Sequence, residues 1–154
     1  MARRVFFSFH YKQDAARAGV VRNHSVTKSG LGDAGYIDAA DWETLERQGE
    51  RAIQNWIDRQ LQGTSVTVVL IGRETANRPW VQYEIKQSWD KGNRLMGVRI
   101  HNIKDFRTQR VAMAGPDPFT TLGYTGVPVY DWVNDRGYDN FGSWVEHAAK
   151  MTRK

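Results

Sequence analysis

Apolar positions fall into short runs along this chain, and five of these runs predict strands. Residues 4–9 and 64–72 are apolar, and the second run is a continuous β-branched segment, typical of a central parallel strand buried on both faces. Residues 36–39 and 94–102 are shorter or more polar runs of the same type. Residues 127–133 are predicted to form an edge strand, because a proline there removes a ladder donor.

Helical periodicity separates these runs. Residues 79–91 carry apolar side chains at helical spacing, with a proline in the first turn and a glycine after the end. Residues 44–61 read as one amphipathic helix, and residues 141–151 as a closing helix. Asp14 is placed to cap a short helix that ends near residue 23. Residues 103–126 show little periodicity and predict a surface excursion.

The alternation of strands and helices predicts an α/β fold, an open parallel five-stranded sheet with helices on both faces. A length of 154 residues suits one domain, which we expect to span residues 1–154. Ligands of such sheets bind outside the carboxyl ends of the strands. The candidate site therefore lies in the loops that follow Phe9, Asp38, Gly72 and His101.

Composition narrows the class of protein. The net charge is +5, but basic and acidic residues are interleaved and no basic run reaches five residues, so we expect no nucleic-acid partner. No apolar run is long enough to cross a membrane or to form a secretory signal, and we expect no membrane association. The absence of cysteine excludes disulfides and thiolate chemistry and favours a cytoplasmic protein.

A literal G-x-G-x-x-G pattern occurs at Gly30, Gly32 and Gly35. The dinucleotide-binding fingerprint follows a strand and opens a helix, whereas these glycines precede the strand-like residues 36–39. We therefore do not interpret them as a cofactor motif. No spacing of His, Asp or Glu suits a metal ion, so no metal site and no bound cofactor are expected.

Glu84 interrupts the apolar stripe of the helix at residues 79–91. Val81, Ile85, Ser88 and Trp89 occupy the other positions of that stripe, so an acid lies where the helix should face the core. Structural ion pairs are commoner than catalytic acids, and that ordinary explanation applies to the helix alone. The alternative is a functional carboxylate at the edge of the sheet.

Several segments in order resemble one family. The first box "RVFFSFHYKQD" and the Trp four residues before a Glu in "RETANRPWVQYEI" resemble a TIR domain. The match is closer to the TIR-like signalling proteins of the Thoeris antiphage system through "GYIDAADWE", "WIDRQLQGTSVTVVLIG", "WVQYEIKQSW" and "IHNIKD". The resemblance covers residues 3–105 strongly and "YDWVNDRGYDN" more weakly.

The resemblance implies a flavodoxin-like sheet and NAD+ as a substrate rather than a cofactor. The nicotinamide glycosidic bond would be cleaved and a cyclic ADP-ribose isomer released as a messenger for an effector protein encoded nearby. The catalytic acid of the family falls on Glu84. A phage-derived trigger and assembly into a homo-oligomer stay open.

Six further residues are candidates for substrate binding. They lie at the predicted strand ends or one helical turn before Glu84, and they are Ser8, Phe9, His10, Asp38, Trp42 and Trp80. Aromatic residues at such positions are as often core, and His101 is more often structural than catalytic. A non-enzymatic TIR-like interaction module is the alternative function, whereas a flavin-binding or phosphoacceptor protein is poorly supported because the loop after the first strand lacks a phosphate-binding run.

Overall fold

Four parallel strands form the sheet of the described residues, and they lie side by side in the order in which they occur along the chain. A computed structural model describes residues 4–27, 37 and 39–151. The strands are β1 (Val5–Ser8), β2 (Val66–Ile71), β3 (Arg94–Arg99) and β4 (Val129–Asp131). The helices are α1 (Ala15–Thr27), α2 (Ala39–Arg47), α3 (Glu50–Leu61), α4 (Pro79–Lys91), α5 (Pro118–Leu122) and α6 (Gly137–Lys150), with a 3-10 turn at Thr75–Asn77.

Strand β2 is central, because it pairs with β1 on one side and with β3 on the other. All six of its residues are buried. Val68 belongs to one apolar cluster, and its neighbour Val69 belongs to the other. The β-branched run therefore buries both faces of the strand, as its sequence predicts.

Helices cover both faces of the sheet. On one face α6 places Phe141 and Val145 in the cluster that contains Val68. On the other face α4 places Val81 and Ile85 against the cluster that contains Val69. The predicted α/β layering is confirmed, since parallel strands need crossover helices to cover them.

The predicted number of strands is wrong for the described residues, which form four strands and not five. The expected strand at 36–39 is the one that differs. Ile37 has no regular secondary structure, Ala39 begins α2, and residues 36 and 38 lie outside the described residues. The glycines at 30, 32 and 35 lie outside them too.

The single helix predicted at 44–61 is two helices. It breaks at Gln48 and Gly49, where Gly49 takes φ +100 and serves as the N-cap of α3. The apolar spacing continues across this break, so periodicity alone did not reveal it.

Other boundaries shift by a few residues. Strand β3 ends at Arg99, three residues before the predicted end at Asn102, so His101 follows the strand. Helix α6 begins four residues earlier than predicted. The excursion after β3 contains the short helix α5. In β4 the prediction of an edge strand is confirmed, because β4 pairs with β3 and Pro128 takes part only through its carbonyl, which accepts from Gly97. Within the described residues no helix is long and apolar enough to span a membrane.

Candidate functional site

Helix α4 places Glu84 against the sheet. The helix begins at Pro79, whose fixed φ suits a first turn, and it ends at Gly92 in the left-handed conformation. Val81, Ile85 and Ser88 share the buried face with Glu84. Glu84 is fully buried, at 0% exposure, so the stripe that contains it does face the interior.

Two hydroxyl groups hold the carboxylate of Glu84. Ser8, the last residue of β1, donates from Oγ to Oε1 at 2.6 Å. Tyr11 donates from its phenol to Oε2. Burial raises the pKa of Glu84 to about 8, although both hydrogen bonds act to lower it. The site therefore contains an acid poised to titrate near neutral pH.

A second polar pair lies one helical turn further along the same interface. Thr67 of β2 donates from Oγ1 to Oγ of Ser88 at 2.7 Å, and Ser88 donates to the backbone carbonyl of Glu84 at 2.6 Å. Asn93 donates to Thr67 at 3.1 Å. These bonds satisfy buried polar groups and fix α4 relative to the sheet, which fixes the position of Glu84.

Tyr11 is enclosed by aromatic rings and is 3% exposed. Its ring stacks on Trp42 with centroids 4.2 Å apart and an interplanar angle of 20°. Phe9 lies on another side, with ring centroids 4.5 Å apart. Trp42 comes from α2, so this helix covers the loop that follows β1.

A small cleft lies outside these rings, with about 410 Å³ of empty space when the adjoining open solvent is included. Its lining includes the cationic or basic side chains His10, Lys12 and Arg78, together with Trp80. It also includes Phe9, Tyr11, Trp42, Glu46, Pro79 and Val81. Glu84 does not line it, whereas Tyr11, which donates to the carboxylate of Glu84, does.

Charged side chains at the rim of this cleft interact with one another. Lys12 and Glu46 form an ion pair at 3.0 Å, which links the loop after β1 to α2. The pKa of His10 is lowered, first by partial burial and then by the positive charge of Arg78. Nδ1 of His10 accepts from the backbone N–H of Gln13 at 3.1 Å, so Nε2 carries the proton in the neutral ring.

The structure brings most of the predicted site residues together. Ser8 contacts Glu84 directly, whereas Phe9, His10, Trp42 and Trp80 line the cleft. Phe9 and Trp42 are buried, and Trp80 is half-buried with its ring edge-on to that of Tyr83. Asp38 lies outside the described residues.

His101 is not among the residues that line the cleft. It follows β3 in a turn, and its Nδ1 is buried without a hydrogen-bond partner. Its backbone carbonyl accepts from Ala112 at 2.8 Å, which joins it to the excursion after β3. Among the described residues no group of three or more His, Asp or Glu side chains is placed to hold a metal ion.

Sequence reasoning missed two residues of this edge. Tyr11 lies two positions after Phe9, and only the path of the loop brings its hydroxyl to Glu84. Asp14 directly precedes α1, as the cap prediction has it, but the sequence did not reveal that its side chain is buried beside Gly72, where an added Cβ would collide with it. Burial raises the pKa of Asp14 to about 6.

The fold and the site define an α/β domain with a buried acid behind a cleft at the carboxyl edge of a parallel sheet. The family model "Thoeris protein ThsB, TIR-like domain" matches residues 6–105. This chain belongs to that family of TIR-like Thoeris proteins. A Bacillus cereus (strain MSX-D12) relative named "Putative cyclic ADP-D-ribose synthase ThsB1" is 39% identical over 193 aligned positions, which cover 94% of this chain and 100% of the relative.

Proposed function

We propose that this protein cleaves the nicotinamide glycosidic bond of NAD+ and releases a cyclic ADP-ribose isomer, as an NAD+ glycohydrolase and ADP-ribosyl cyclase. The observation that carries the proposal is Glu84, a fully buried acid held by two hydroxyls behind a cleft at the carboxyl edge of the sheet. The relative's name describes the same product class, and the alignment covers the whole length of that relative.

The reaction needs a group that stabilises positive charge on the ribose. The bond between ribosyl C1 and the pyridinium nitrogen breaks, and its electron pair neutralises the nicotinamide, which leaves without a proton. The ribosyl centre becomes oxocarbenium-like, and an ionised Glu84 carboxylate beside it lowers the barrier. A nucleophile on the adenosine half then bonds to C1 and loses its proton, which closes the ring.

Glu84 must be ionised to perform this role. With a pKa of about 8, the carboxyl group is mostly protonated at neutral pH. The pyridinium of NAD+ brings a positive charge into the site, and a nearby cation favours the charged form of a carboxyl group. Substrate binding therefore ionises the acid that the reaction requires.

The rim of the cleft suits the rest of the dinucleotide. Arg78 and Lys12 supply positive charge for the diphosphate, and Arg78 lowers the pKa of His10 from close by. The face of Trp80 offers an apolar surface for a flat base. The nicotinamide end would then point inward towards Tyr11 and Glu84.

The cyclised product is proposed to act as a messenger in antiphage defence, activating an effector protein encoded nearby. A phage-derived trigger and a homo-oligomeric active form belong to the same proposal. They rest on membership of the Thoeris family and on no contact in this chain.

The test is turnover by the purified protein. NAD+ is supplied with and without an extract of phage-infected cells, and nicotinamide and cyclised ADP-ribose are measured by chromatography and mass spectrometry. Release of both by the wild type, and their loss in Glu84→Gln, supports the proposal. A wild-type protein that releases neither under either condition overturns it and favours the non-enzymatic interaction module.

A further inference from the structure

Both oxygens of the Glu84 carboxylate have donors from the protein itself. Oε1 accepts from Ser8, and Oε2 accepts from Tyr11. The carboxylate has no contact with the cleft, although it must reach the nicotinamide ribose if the proposed function is correct. Each oxygen could accept a second hydrogen bond, but the carboxylate is fully buried, so a neighbouring group must move before a ribose hydroxyl can reach it.

The two donors differ in where they are attached. Ser8 belongs to β1, and its neighbours pair with β2 on the sheet, so its hydroxyl is fixed by the fold. Tyr11 belongs to the loop after β1 and lines the cleft itself. A substrate that enters the cleft meets Tyr11 first and reaches Oε2 only by displacing its phenol.

We propose that Tyr11 is a positioning residue whose phenol occupies the ribose-binding oxygen of Glu84 until substrate displaces it. The Trp42 ring, which stacks on Tyr11, holds the phenol in that position. The inference rests on the proposed function and adds a residue to it. A ribose hydroxyl replaces the phenol as donor to Oε2, whereas Ser8 keeps its hydrogen bond to Oε1. No covalent step is involved.

Trp42 helps to hold Tyr11 in place because its ring covers one face of the Tyr11 ring. The two rings are nearly parallel, and α2 carries Trp42 together with Glu46, the ion-pair partner of Lys12 in the same loop. Displacing the phenol therefore requires the loop after β1 and the start of α2 to adjust together. If only the open form binds substrate, the apparent Kd equals the Kd of the open form divided by the fraction of protein that is open.

The decisive variant is Tyr11→Phe, which keeps the ring and removes the hydroxyl. Oε2 is then buried without a donor in the closed form, so opening becomes easier. We expect the KM for NAD+ to fall about tenfold, whereas kcat stays within about threefold. The acid limb of the pH profile of kcat/KM should also move to higher pH, because the Tyr11 hydrogen bond lowers the pKa of Glu84.

Tyr130→Phe is the matched control. Tyr130 stacks on Trp144 with centroids 4.3 Å apart and rings 3° from parallel, in β4 and α6. Removing its hydroxyl should change neither KM nor the pH profile. Trp42→Phe provides a second variant, which weakens the stack and should lower KM in the same direction if Tyr11→Phe does not fold.

Two results would overturn the inference while the wild type still cleaves NAD+. One is an unchanged or higher KM in the folded Tyr11→Phe protein, or in Trp42→Phe if that is the variant that folds. The other is a tenfold or greater loss of kcat with an unchanged melting temperature, which would mean that the phenol acts in the reacting state. If the wild type neither binds nor cleaves NAD+, the proposed function fails as well.

Discussion

Ser8 at the end of β1 donates a hydrogen bond of 2.6 Å to Glu84 in the middle of α4, 76 residues away in sequence. This bond joins the edge strand of the described sheet to the helix that crosses behind it. Its energetic value comes from burial, since a carboxylate oxygen without a donor in this interior is costly. The position of the proposed catalytic acid is thus tied to the fold.

Ser8→Ala tests how much the hydrogen bond between Ser8 and Glu84 contributes. The variant leaves Oε1 buried without its donor, so we expect it to lower the free energy of unfolding by about 1–3 kcal/mol and to raise the pKa of Glu84 further. Denaturant unfolding and the pH profile of turnover measure the two effects. Ser143→Ala, an exposed serine on α6, is the control, and equal stability of the two variants would contradict the argument.

The pH dependence of stability follows from Glu84. Its pKa is about 8 in the folded protein against an ordinary value of 4.5, so the folded state keeps a proton that the unfolded state has released between these pH values. Stability contributed by this group is therefore lost as pH rises through that window, by a few kcal/mol, because each unit of difference in pKa is worth about 1.4 kcal/mol.

Glu84→Gln removes this dependence. Relative to the wild type, the variant should gain stability between about pH 5 and about pH 8.5, which thermal or denaturant unfolding at both pH values measures. A difference between variant and wild type that is the same at both pH values would mean that Glu84 does not titrate in this range.

The rim of the cleft gives a prediction about affinity. Arg78→Gln removes a positive charge that we place at the diphosphate, so KM should rise about fivefold to tenfold with little change in kcat or melting temperature. Arg59→Gln, an exposed arginine on α3, is the control. If both variants have the wild-type KM, the diphosphate does not bind at this rim.

The central strand gives a prediction about the fold. Val68 is fully buried in β2, and Val68→Asp places an unpaired charge there, so we expect a loss of at least about 3 kcal/mol and little folded protein. Val20→Asp on the exposed side of α1 should be tolerated. A Val68→Asp variant that melts like the wild type would contradict the assignment of β2.

Sequence patterns within a few residues were enough to predict the limits of α4 and the burial of β2. The limits of α4 follow from Pro79 and Gly92, and the burial of β2 follows from its β-branched run. The break between α2 and α3 was missed because amphipathic spacing continues through Gly49, whose left-handed backbone ends one helix before the next begins. The strand predicted at 36–39 is not seen at its two described residues, Ile37 and Ala39, and four residues carry too little pattern to define a strand.

The candidate site was predictable only in part for a different reason. Glu84 stands out because an acid on a buried stripe breaks the helical pattern. Tyr11 carries no such signal, because a tyrosine in a loop gains its role from the path that brings it to a distant carboxylate. Asp14 has a local signal as a helix cap and does precede α1, but its burial beside Gly72 depends on a residue distant in sequence and could not be predicted.

The central claim is that Glu84 stabilises positive charge on the ribose of NAD+. The most direct measurement is the rate of nicotinamide release by Glu84→Gln, compared with the wild type and with the Glu146→Gln control on α6, under the condition in which the wild type is active. We predict a loss of about a hundredfold or more for Glu84→Gln, with an intact fold, and a wild-type rate for Glu146→Gln. A folded Glu84→Gln protein that releases nicotinamide at the wild-type rate would contradict the account.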